Sequence, residues 1–154
     1  MTPFRDTSLP RPAAILGTIG LLPFIALSIQ VATELPFGAS MTSQARTGLA
    51  IYGAIVLSFL GGIQWGLAVA SADRSDAWRR YGFSILPSLV ALLGLWLGGR
   101  NGLIALAIGV GIWGIYELWS TGLGEAPPWY GRLRIALTVF AAAALGVAAA
   151  YGPS

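Results

Sequence analysis

Five long apolar stretches run between residues 13 and 151, and nearly all of the chain's charges are gathered in the short clusters between them. An apolar run of about 20 residues makes a helix about 30 Å long, which is the thickness of a bilayer's hydrocarbon core. In water the same chain would be short of polar surface: 10% of its residues are charged and 56% are hydrophobic, whereas a soluble domain carries roughly a quarter charged residues. Hydrocarbon is therefore the solvent these stretches fit. Backbone groups in hydrocarbon must hydrogen-bond within the segment, so stretches of this length cross as helices. The expected fold is all-α: one polytopic membrane domain, a bundle of five transmembrane helices at about 13–32, 44–72, 81–98, 103–120 and 131–151, behind a cytoplasmic tail of residues 1–12. Five crossings use about 100 residues, so a chain of 154 has no room for a separate soluble domain.

The segments are punctuated by helix-stopping residues. Arg5 and Arg11 precede the first, which contains Gly17, Gly20 and, near its middle, Pro23. A basic tail before an apolar run also describes a secretory signal. This run is longer than a signal core and holds a central proline, so it is read as an uncleaved helix. Glu34, Pro36 and Gly38 mark the next loop, and Asp73, Arg74, Asp76, Arg79 and Arg80 the one after it. Gly98 to Gly102 predict a tight turn that makes the third and fourth segments neighbours. Gly122, Gly124, Pro127 and Pro128 predict the last loop.

Orientation follows from the arginines, which supply all of the chain's basic charge. Arg5, Arg11, Arg74, Arg79, Arg80, Arg132 and Arg134 fall on one side and Arg46 and Arg100 on the other, seven against two. The N-terminus is expected in the cytoplasm and the C-terminus in the periplasm. Trp78, Tyr81, Trp119, Trp129 and Tyr130 would form an inner aromatic belt, with Trp96 and Tyr151 toward the outer face. A net charge of +3 placed beside apolar segments reads as membrane orientation, not as a nucleic-acid surface.

Two sets of residues are candidates for function. Ala54, Ser58, Gly62, Gly66 and Ala70 recur every fourth residue of the second segment and include a GxxxG motif. Small residues spaced this way let another backbone approach, which predicts a helix-docking face, either within the subunit or against a second protein. Similar spacings occur at Ser84, Ser88, Ala91, Gly94 and Gly98, and at Ala142, Gly146 and Ala150. The second set is polar. Gln64 lies about 200° around its helix from Gly62, so it points away from the glycines. Glu117 is the one acid well inside an apolar run. Both lie roughly 9 Å from the midplane toward the cytoplasm at ~1.5 Å per residue, and Arg134 falls at a similar level. The expectation is a polar cluster with Glu117 paired to Arg134 and Gln64 bonded nearby. An ionisable residue at membrane depth is a functional candidate that also has structural uses.

Chemistry is limited by inventory. No histidine or cysteine occurs, which removes imidazole acid–base catalysis, thiolate metal sites and the usual haem ligation. Asp73 and Asp76 sit among arginines in a loop, and Gly109, Gly111 and Gly114 lie in a hydrophobic helix without the strand and lysine of a phosphate-binding loop. The chain is accordingly expected not to be an enzyme, to use no cofactor and no metal, and to have no nucleic-acid partner. Its expected partners are the lipid bilayer and other membrane protein subunits.

Three stretches carry a resemblance: YGAIVLSFLGGIQWG (residues 52–66), SILPSLVALL (84–93) and PWYGRLRIALT (128–138). With the five-segment layout, they make the chain similar to the transmembrane protein 69-like family, domain of unknown function 3429. Members commonly carry histidine where Gln64 stands. A proton or metal role is therefore not carried over to this position, while a hydrogen-bonding role is. The resemblance implies an inner-membrane location, here taken as the bacterial cytoplasmic membrane, and no particular mechanism. The functional expectation is an accessory or assembly subunit of a larger membrane complex. The alternative is a small transporter or lipid- or quinone-binding protein using Gln64, Glu117 and Arg134.

Overall fold

The computed structural model describes residues 8–34, 39–71 and 76–151. They form six helices: α1 (Arg11–Ile19), α2 (Leu22–Thr33), α3 (Ala39–Ala70), α4 (Ala77–Leu97), α5 (Gly99–Gly122) and α6 (Pro128–Tyr151). No strand occurs among the described residues. Because α1 and α2 together make the first crossing, five segments are long and apolar enough to span a membrane. The loop expectations resting on Pro36 and Gly38 and on Asp73 and Arg74, and the start of the N-terminal tail with Arg5, lie outside the described residues.

The first span is broken where Pro23 withholds the N–H that would bond the Ile19 carbonyl. The chain tightens there: the Gly20 N–H donates to Leu16 O at 2.9 Å and the Leu21 N–H reaches back only three residues to Thr18 O at 3.0 Å. A neighbouring helix supports the break, because the Tyr52 hydroxyl on α3 donates to the Gly20 carbonyl at 2.8 Å while its ring meets Phe24 edge-on at 5.0 Å. Tyr52→Phe keeps the ring contact and removes only the hydrogen bond. It is expected to lower stability by about 0.5–1.5 kcal/mol, read as a small drop in melting temperature in detergent. An unchanged melting temperature would show that packing alone holds the break.

Helices α4 and α6 begin at Ala77 and Pro128, a turn ahead of the expected 81 and 131, and two other boundaries differ in ways that shape the packing. Helix α3 begins at Ala39 instead of residue 44, since Thr42 and Ala45 are already buried against the bundle and nothing between 39 and 44 breaks a helix. The turn expected over Gly98 to Gly102 shrinks to Gly98 alone, with φ 62° and ψ 178°, and α5 starts at Gly99. Such a backbone is open to glycine and strained for other residues. This abrupt reversal presses α4 against α5: a Cβ on Gly102 would strike the Gly94 carbonyl, and one on Gly94 would lie 2.7 Å from Leu106 Cγ.

Around the bundle the order α2, α3, α4, α5, α6 closes on itself, because α2 packs on both α3 and α6, and α3 also reaches α5 and α6. The centre is filled by Phe24 of α2, Leu49, Leu57 and Leu60 of α3, Leu103, Leu106 and Val110 of α5, and Leu145 and Ala148 of α6. Large apolar residues such as Ile55, Phe59, Leu92 and Ile115 face outward, toward lipid.

The expected fourth-residue stripes do not form single faces. Four residues turn a helix about 400°, so each step advances the position by about 40°. Ala54 is buried, Ser58 is half-buried, and Gly62, Gly66 and Ala70 are exposed. The stripe walks from the interior to the lipid side. Buried positions instead alternate steps of three and four: Ser84, Pro87, Ala91 and Gly94 on α4, leaving Ser88 exposed, and Gly131, Arg134, Thr138, Ala141, Leu145 and Ala148 on α6, leaving Gly146 and Ala150 exposed. That mean spacing of about 3.5 keeps a seam facing its neighbours.

Candidate functional site

The α5–α6 hairpin places its charged residues on facing turns. Tyr130, Arg134 and Thr138 are four residues apart on α6 and share one face, opposite Glu117 and Gly114 on α5. Close approach is permitted by glycine on each side. A Cβ on Gly131 would lie 3.0 Å from Thr121 Cγ2, and one on Gly114 would strike Thr138.

Within this contact the Arg134 Nε–H donates to Glu117 Oε2 at 2.7 Å, and the Tyr130 hydroxyl donates to Glu117 Oε1 at 2.5 Å. Glu117 is fully buried and Arg134 is 8% exposed. Thr121 donates to the Glu117 backbone carbonyl at 2.8 Å. Each carboxylate oxygen thus has a donor, as a charge in low dielectric requires. A carboxylate held on both oxygens in this way is a counter-ion fixed in place.

Gln64 is buried on the inner side of α3, at 4% exposed, but it does not join the pair: its Nε2 has no hydrogen-bond partner. Trp113 Nε1 and Thr138 Oγ1 are also buried without partners. Of the docking set, Gly62 and Gly66 look outward, with no atom of a neighbouring helix within 4 Å of where a Cβ would stand.

Two features had weak sequence signals. Tyr130, expected in the aromatic belt with Trp78, turns inward to Glu117, whereas Trp78 is 95% exposed. Its spacing of four from Arg134 is the signal that was available. The other is Glu125 in the α5–α6 loop, which accepts from Arg79 at 2.5 Å and from Ser120 at 2.7 Å, with Arg80 Nε 4.0 Å away. Arg79 also lies over the Trp119 ring, 5.1 Å from its centroid, and donates to Asp76 at 3.2 Å. This set ties the start of α4 to the last loop. The arginines read from sequence as orientation signals are also a clamp.

Beside the ion pair lies a crevice of about 450 Å³ between α1, α2, α3 and α6. Gly17 and Gly20 floor one side, Phe24, Val56 and Leu137 supply apolar wall, and Tyr130, Arg134 and Thr138 bring the polar face of α6 to it. A partly apolar cleft with a few convergent polar groups has the form of a small-molecule site.

A helical bundle with five membrane-length segments and an ion pair buried between two of them defines a polytopic integral membrane protein. The family described as "Protein of unknown function (DUF3429)" matches residues 9–150, and the chain belongs to that family. It is similar to Transmembrane protein 69 of Xenopus tropicalis, 33% identical over 135 residues, which cover 86% of this chain and 51% of that protein. Transmembrane protein 69 of Mus musculus is 31% identical over 135 residues, covering 86% and 53% respectively. The chain therefore spans about half the length of these curated relatives. No solved structure matches it.

Proposed function

We propose that this protein is a non-enzymatic resident of the bacterial cytoplasmic membrane, N-terminus inside, that holds a lipid-soluble molecule in the crevice beside Glu117 and Arg134. The observation that carries this reading is the crevice itself, whose roughly 450 Å³ joins apolar walls to the polar face of α6. A site whose buried carboxylate is already tied to Arg134 and Tyr130 suits holding better than chemical conversion. Its placement against α1, a short helix set off from α2 by the break at Gly20, gives a membrane-borne molecule a lateral approach.

The test is native mass spectrometry of protein reconstituted in nanodiscs of defined lipid supplemented with a membrane lipid extract. The wild-type protein is expected to retain a discrete adduct, and Val56→Trp, which fills the crevice, is expected to lose it while keeping its size-exclusion profile. Absence of any specific adduct on the wild-type protein, or equal retention by Val56→Trp, would overturn the reading.

A second reading, an accessory or assembly subunit of a larger membrane complex, is favoured by the outward-facing Gly62, Gly66 and Ala70. Such a surface admits a foreign helix backbone closely. Its test is co-purification from gentle detergent. An enriched membrane partner lost on Gly62→Leu with Gly66→Leu supports it, and a lone monodisperse monomer counts against it.

A further inference from the structure

The crevice's polar groups have an unusual balance. Arg134 meets Glu117 through Nε, which leaves the four N–H bonds of its two terminal nitrogens without an acceptor among the described residues. Thr138, one helical turn deeper on α6, packs its side chain against Gly114 of α5, where its hydroxyl is sealed without a partner. Both residues line the crevice. The site therefore offers donors. It offers almost no net charge, because Glu117 already compensates the guanidinium at 2.7 Å.

From this charge-compensated arrangement we infer that the crevice binds a neutral, carbonyl-bearing head group on a hydrocarbon tail, its carbonyl oxygen accepting from the terminal N–H groups of Arg134. The inference rests on the ligand-holding reading above. An anionic head drawn to Arg134 would also come close to the Glu117 carboxylate, and in this low-dielectric setting that repulsion is little screened. A neutral carbonyl avoids the repulsion and satisfies donors that are otherwise orphaned. About 450 Å³ is within the usual range of roughly 300–1,000 Å³ for small-molecule sites and holds a ring- or glycerol-sized head, with the tail running out along the apolar walls of Phe24, Val56 and Leu137.

Two sources carry this chemistry, alkylated quinones and acylglycerols, and the experiment separates them. The full chain in phosphatidylcholine nanodiscs is loaded with a decyl-benzoquinone, with dioleoylglycerol or with phosphatidylglycerol, and bound adducts are measured by native mass spectrometry. At least one neutral probe is expected to be retained about tenfold better than phosphatidylglycerol; whichever neutral probe is held identifies the source. Two variants test the donors. Arg134→Lys keeps a cation beside Glu117 but loses the terminal N–H fork, and Thr138→Val, which removes a hydroxyl sealed against α5 with little change in volume, serves as the control. Arg134→Lys is expected to weaken retention about fivefold to tenfold, and Thr138→Val to leave it unchanged. Phosphatidylglycerol bound as well as the neutral probes, or undiminished retention by Arg134→Lys, overturns the head-group assignment. If Val56→Trp still abolishes binding in that case, the crevice reading stands without it. Failure of the wild-type protein to retain any probe overturns both.

Discussion

Arg134→Leu is expected to be the most damaging single substitution in this bundle, lowering stability by about 3–5 kcal/mol, because it strands the Glu117 carboxylate without its counter-ion. Glu117 is 0% exposed, so water cannot replace the 2.7 Å bond from Arg134 Nε, and the Tyr130 hydroxyl alone cannot neutralise it. The desolvation that the pair made tolerable then falls on one unpaired ion. The expected readout is a large loss of melting temperature in detergent and of monodisperse protein on size exclusion. A double variant, Glu117→Met with Arg134→Leu, leaves neither charge behind and is expected to recover much of the loss, less what the orphaned Tyr130 hydroxyl costs. If the single variant melts like the wild-type protein, the pair is not what holds α5 to α6.

Adjacent glycines in α3 are expected to respond in opposite ways. Gly61→Ala places a methyl group against the Ser84 backbone carbonyl and 3.3 Å from Pro87 Cγ, and backbone on α4 cannot turn aside as a side-chain tip would. Overpacking of this kind costs about 1–3 kcal/mol. At Gly62 there is open space, and alanine brings better helix propensity, so Gly62→Ala is expected to be neutral or stabilising by up to about 1 kcal/mol. Paired melting curves in detergent measure both. Equal effects at the two positions would mean that α3 does not present Gly61 to α4 as described.

The contrast explains what was readable in advance. Both glycines are visible in the sequence, and the GxxxG spacing drew notice to Gly62 and Gly66. The position that presses on a neighbour is Gly61, and telling 61 from 62 requires the rotation of α3 about its axis, 100° per residue. Exact fourth-residue spacing was a misleading guide over 16 residues because its drift accumulates. Glu117 and Arg134 were legible as partners because depth in the membrane is counted along the chain, and charges at one depth in hydrocarbon need each other. Gln64 was at a similar depth but on α3, and depth alone could not say that its amide would have no partner. Tyr130 fitted an interfacial belt by composition. Its inward turn depends on how α6 is rotated against α5, which Gly131 and Gly114 set by letting the helices approach.

Local rules were enough for the solvent, the helical form and the count of crossings. Each apolar run must close its own backbone hydrogen bonds in lipid, and the loops must hold the charge, so these properties are written residue by residue along the chain. Which way each helix faces is a different kind of fact. The crevice under α1, the clamp on Glu125, the junction of Tyr52 with Gly20 and the separation of Gln64 from the ion pair all depend on contacts between segments far apart in the chain. Helices that are apolar nearly all round carry little rotational preference of their own, and mutual packing supplies it.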